Sequence, residues 1–160
     1  MRIVFHIWSI GKTACGRFSY GCRRVADHGP VLKEVPAAVT LAQWVIESAW
    51  GASMPPGSNN PFGIKAVANQ PEVDSQTNEV VNGETITITA KFRAFPSIAD
   101  AFDAHGRLLA TSPAYSVAMQ HKQSPDAFAD ALTGVYATDP DYGAKLKWIM
   151  QNFGLERYGR

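Results

Sequence analysis

The stretch VVNGETITIT, residues 80–89, does most to limit the folds open to this chain. Thr85-Ile86-Thr87-Ile88-Thr89 alternates polar and apolar side chains with the period of a half-buried strand. Asn82-Gly83 sits between that run and Val80-Val81. Asn-Gly accepts the positive φ angles of a tight two-residue turn, so the segment predicts a β-hairpin.

The sequence on either side has helical character. PAAVTLAQWVIESAWG predicts a helix from about residue 36 to 50, with Pro36 in its first turn and Gly51 placed to end it. MPPGSNNPFG, residues 54–63, is dense in turn formers and reads as loop. After Pro96, SIADAFDAHGRLLA puts Ile98, Ala101, Phe102, His105 and Leu108/Leu109 on one face, with Ser97 as N-cap. SPDAFADALTG predicts a helix capped by Ser124 with Pro125 first, and DPDYGAKLKWIMQNFGL predicts a last one starting near Asp139-Pro140. The expected class is α+β: a mainly helical lobe with a small β-hairpin lobe inserted after the first strong helix.

At 160 residues the chain is long enough for one domain with a real core. A net charge of +1 gives no electrostatic case for nucleic-acid binding. No apolar run reaches the ~18 residues of a membrane span. The N-terminal stretch IVFHIWSI is short, contains His6 and lacks a clear small-x-small cleavage site, so no clear signal peptide is read there. Cys15 and Cys22, with His6 and His28 nearby, match no zinc spacing, so no metal is expected. The pair could form a disulfide in an exported protein or remain free thiols in one that is not.

The chemistry centres on LAQWVIESAWGAS, residues 41–53, where Glu47 lies between Trp44 and Trp50. On a continuous helix Glu47 shares a face with Gln43, Trp44, Trp50 and Gly51. Apolar surroundings raise a carboxyl pKa, because the charged form loses hydration. A Glu protonated near neutral pH can donate to a leaving oxygen. The blander reading is an amphipathic helix whose polar edge holds Gln43 and Glu47. A glycosidase needs a second group across a cleft. A hairpin folded over the helix would supply it, and Glu72, Asp74, Glu79 and Glu84 all fall in or near that hairpin. Residue type does not choose among the four. Trp44, Trp50, Phe62, Tyr136 and Tyr142 could stack on sugar rings, although most aromatics in any domain are core. No GxSxG, HExxH, P-loop or paired CxxC is present. His105 reads as a core-edge histidine rather than a base.

Taken in order, LAQWVIESAWGAS, NNPFGIKA, TNEVVNG, AKFRAFPSIADAFDAH and YATDPDYGAKL resemble the glucosaminidase domains of bacterial and phage peptidoglycan hydrolases, glycoside hydrolase family 73. The resemblance spans residues 36–155, leaving residues 1–35 as an N-terminal extension of unknown role before a domain at 36–160. It implies a lysozyme-like fold and cleavage of the β-1,4 bond after N-acetylglucosamine. It puts the general acid on Glu47 in ESAWG and the second acid on Glu79 in TNEVVNG, with Glu84 as the substitute. Tyr136 in YATDP falls on the family's sugar-cleft tyrosine, and Asn60 and Phe62 in NNPFGIK on its structural and cleft-lining positions; Trp50 joins them as a candidate substrate-binding aromatic. Ala49 and Pro61 depart from the Gly and Leu that many relatives carry.

The expected function is therefore endo-β-N-acetylglucosaminidase action on a peptidoglycan glycan strand, by a monomer that needs no cofactor. The site of action would be the periplasm, the cell wall or the medium, in a host or phage lysis context. The rivals are a lytic transglycosylase or muramidase, and a non-catalytic peptidoglycan-binding module.

Overall fold

The computed structural model describes residues 34–81 and 84–158. Among the described residues, five α-helices and one antiparallel hairpin follow in the order α1 (Ala37–Ser48), β1 (Glu72–Val81), β2 (Glu84–Arg93), α2 (Ile98–Thr111), α3 (Ser116–Gln120), α4 (Pro125–Ala131) and α5 (Tyr142–Phe153). Short 3-10 turns cover Pro113–Tyr115 and Leu155–Tyr158. The mixed, mainly helical class expected from the sequence is the one found. Cys15, Cys22, His6, His28 and the Asn82-Gly83 turn lie outside the described residues.

α1 is buried on nearly every side, so its apolar residues need no single stripe. Val39 and Leu41 on α1 meet Leu146 and Met150 on α5 in one core with Leu109, Phe128 and Leu132, all fully buried. α2 and α4 start where the sequence signals them. Ser97 Oγ accepts from the Asp100 amide at 3.3 Å and Ser124 Oγ from the Ala127 amide at 3.4 Å, satisfying donors the helices themselves leave open. α5 starts at Tyr142 rather than at Asp139-Pro140. The Tyr142 amide instead closes a turn on the Asp139 carbonyl.

The end of α1 also differs from expectation. Ser48 is its last residue, and Ala49, Trp50 and Gly51 follow with φ of 47°, 62° and 81°. Ser48 drives the break: its Oγ donates to the Trp44 carbonyl and accepts the Gly51 amide, both at 3.0 Å. Three consecutive left-handed residues turn the chain back, and the φ of 81° at the third suits glycine, which has no Cβ to strain. Trp50 is therefore not one turn beyond Glu47 on a helix face.

The hairpin pairs Glu72 with Arg93 through to Val81 with Glu84. Its base is fastened to the 58–66 loop. The Arg93 amide donates to the Ile64 carbonyl, the Ala66 amide to the Lys91 carbonyl and the Phe95 amide to the Ser58 carbonyl. Asn60, fully buried, completes the joint. Its Nδ2 donates to the carbonyls of Ile64 and Arg93, and its Oδ1 accepts the Ile64 amide.

Candidate active site

Fastened in this way, the hairpin faces the C-terminal end of α1 across a cleft of about 230 Å³. Glu47 forms one side with Met54, Pro55 and Asn60, while Ser75 and Thr77 of β1 form the other. The second wall anticipated from the sequence is therefore present.

Glu47 is only partly exposed, and burial pushes its carboxyl up to about 7 from an ordinary value of 4.5. One interaction works the other way: Tyr142 Oη donates to Glu47 Oε1 at 2.9 Å and favours the charged form. Tyr142, at 2% exposed, accepts in turn from Gln43 Nε2 at 3.1 Å. Gln43 is one helical turn before Glu47, and Tyr142 opens α5, so a three-member relay bridges the two helices. The raised pKa expected from apolar surroundings follows from burial, but the side chain that bonds to the carboxyl is a tyrosine.

Tyr136, partly exposed, stacks on Tyr142 with ring centroids 5.7 Å apart and planes 16° from parallel. Both phenols are held well above 10, first by burial and then by the charge of Glu47, so both are neutral when Glu47 titrates. Tyr136 thus lies near enough to Glu47 to feel its charge.

Trp50 and Phe62 are placed differently. Trp50 is 5% exposed, its ring set edge-on to Trp44 and Phe153. Phe62 is 3% exposed, stacked on His105 and edge-on to Phe102. Their rings are spent on the core, which corrects the expectation that they offer faces to a sugar. Asn60 touches the cleft, but its amide serves the backbone joint. His105 is wholly buried and held neutral, pushed down to about 3 by burial, so it is core rather than a base at working pH.

Among the hairpin acids, Glu72 is ion-paired with Lys91 on the exposed surface. Asp74 and Glu84 are exposed. Glu79 lies in β1 opposite Ile86, two and four positions beyond Thr77 and Ser75. Among the described residues no cluster of His, Cys, Asp or Glu has the makings of a metal site.

Gln43 and Tyr142 are the members that sequence reading did not assign. The sequence reads Gln43 as part of the polar edge of α1 and Tyr142 as one of five aromatics that could stack on sugar. The available signal was a polar atom carried on each of two otherwise buried helix faces.

A family model described as mannosyl-glycoprotein endo-beta-N-acetylglucosaminidase matches residues 32–155, which hold every element of this site. The chain belongs to the glucosaminidase family. Within that family, exo-glucosaminidase LytG of Bacillus subtilis is 32% identical over 143 residues, covering 84% of this chain and 51% of LytG. A probable N-acetylmuramidase of Lactococcus lactis is 35% identical over 129 residues, covering 76% of this chain and 29% of that protein. The chain thus spans about half the length of one curated relative and less than a third of the other. The glycoside hydrolase domain of FlgJ from Salmonella typhimurium superposes with a TM-score of 0.63 at 32% identity, over 89% of this chain and 97% of that one. The mainly helical body with its hairpin lobe is the lysozyme-like α+β arrangement of these glucosaminidases.

Proposed function

We propose that this chain hydrolyses peptidoglycan as an endo-β-N-acetylglucosaminidase, with Glu47 as its general acid. The observation that carries the reading is the carboxyl of Glu47, which keeps its proton up to about pH 7 and opens on a cleft walled by the hairpin. A polysaccharide strand laid in that cleft brings a glycosidic oxygen to an acid that is still protonated at neutral pH. Protonation of that oxygen breaks the bond as positive charge grows at the anomeric carbon of N-acetylglucosamine.

Glu79 is the second acid of this reading, supported by its place in the TNEVVNG segment and by its register after Thr77. It either activates water, giving inversion, or steadies the acetamido group of the substrate as that group attacks, giving retention. Tyr136 is the sugar-binding tyrosine of this reading, supported by its stack on Tyr142 and its closeness to the Glu47 charge. The substrate requires action outside the cytoplasm.

The test is digestion of purified sacculi, followed by reduction and mass analysis of the fragments. The expected fragments carry N-acetylglucosamine at the reducing end and are released as multi-sugar pieces. A 1,6-anhydro end would make the chain a lytic transglycosylase, and a reducing N-acetylmuramic acid would make it a muramidase. Glu47→Gln should lower turnover by about 10²–10⁴-fold while staying folded, with a melting temperature no lower than that of wild type. An intact wall with wild-type protein, or full activity in Glu47→Gln, refutes the assignment; wall binding without cleavage would mark a binding module.

A further inference from the structure

We propose that Gln43 is a positioning residue: it fixes the direction of the hydrogen bond between Tyr142 and Glu47, so that the acid presents its proton from Oε2. The inference rests on the reading of Glu47 as the acid and adds to it a device for aiming the proton.

The geometry leaves little freedom. Gln43 is wholly buried, and its Nε2 lies 3.1 Å from Tyr142 Oη. A carboxamide nitrogen donates and has no lone pair to offer, so Tyr142 must accept there. The single phenolic proton is then free to point only at Glu47 Oε1, 2.9 Å away. With Oε1 engaged as an acceptor, the acid proton is favoured on Oε2. Without Gln43, the phenol could turn its oxygen toward Glu47 and take the acid proton as an acceptor, which would hold it away from the substrate.

The other groups facing Glu47 cannot impose this direction. Tyr136, on the segment before α5, stays neutral through the working range. Tyr115 acts on Tyr136 rather than on Glu47. Across the cleft, β1 presents Ser75, Gln76 and Thr77, and position 79 follows them in register. Gln43 Oε1 has no hydrogen-bond partner among the described residues, so the amide is committed through its nitrogen alone.

The experiment compares full-length wild type, Gln43→Met, Tyr142→Phe and the double variant. It uses the pH dependence of kcat/KM on sacculi and a carboxyl ¹³C NMR titration of Glu47, assigned with Glu47→Gln. Methionine keeps the length and flexibility of the side chain and removes the donor. Gln43→Met should lower kcat and move the basic limb, and the Glu47 titration with it, upward by about half a unit to one unit. In the Tyr142→Phe background the same change should add no further shift, because the relay is already broken. An unchanged limb in Gln43→Met, or the same shift with and without the Tyr142 hydroxyl, overturns the proposal.

A further measurement needs no substitution at position 43. In wild type, the Gln43 side-chain amide protons should exchange slowly and move with the Glu47 titration; fast exchange would also overturn the proposal. The NMR readouts do not depend on turnover. A wild type that leaves sacculi intact while its relay titrates as described would refute the hydrolase reading and keep the relay.

Discussion

Glu47→Gln should make the fold more stable, and only above a particular pH. In the unfolded chain the carboxyl ionises at its ordinary 4.5, and in the folded protein at about 7. Between those values the folded state holds a proton that the unfolded state has released. Stability therefore falls as pH rises through this window and levels off above 7. At 1.36 kcal/mol per unit, the 2.5-unit gap amounts to about 3 kcal/mol. Glutamine fills nearly the same space, stays neutral and can still accept from Tyr142, so it escapes this loss. Urea or thermal melts of both proteins at pH 4.5, 6 and 8 give the difference directly. Near pH 4.5 the two should agree closely. At pH 8 Glu47→Gln should be ahead by about 3 kcal/mol, or roughly 6–12 °C in Tm for a chain of this size. A difference that stays flat from pH 4.5 to 8 would mean that the carboxyl titrates like a solvated one, and the case for a protonated acid would fail.

His105 titrates in the opposite sense. Its folded value of about 3 against 6.5 unfolded means that the stability it supports is present above 6.5 and is lost as pH falls. His105→Leu should cost about 1 kcal/mol at pH 7.5 yet spare the protein about 3 kcal/mol of loss between pH 6.5 and 4, read from urea midpoints across that range. Ala49→Gly should stabilise by about 1 kcal/mol in the same assay, since Ala49 holds a φ of 47° at the end of α1. Gly143→Ala should destabilise by about 1–3 kcal/mol and lower activity through displacement of Tyr142, because its Cβ would meet the Ala129 carbonyl and Thr133 Oγ1 at 2.8 Å; a melt beside a wall-lysis assay checks both effects.

Much of this molecule is legible in the chain because its signals are local. Ser97 and Ser124 cap their helices through hydroxyls three residues from the amides they accept. The alternation of residues 85–89 becomes β2, and Glu47 near the end of an apolar helix has the raised proton affinity that such surroundings impose. Where α1 stops depended on a competition that composition does not reveal. Ser48 bonds both the turn behind it and the chain ahead, which ends the helix early and rotates Trp50 into the core.

Local pattern determined the helices, the hairpin and the unusual position of one carboxyl, since each depends on neighbours a few residues away. Only the tertiary structure decided the partners of that carboxyl. Tyr142 lies 95 residues further along the chain from Glu47 and 99 from Gln43. Contacts at such separation come from tertiary packing: α5 on α1 turned a polar edge into a relay and set Trp50 against Phe153, while α2 buried Phe62 against Phe102 and His105.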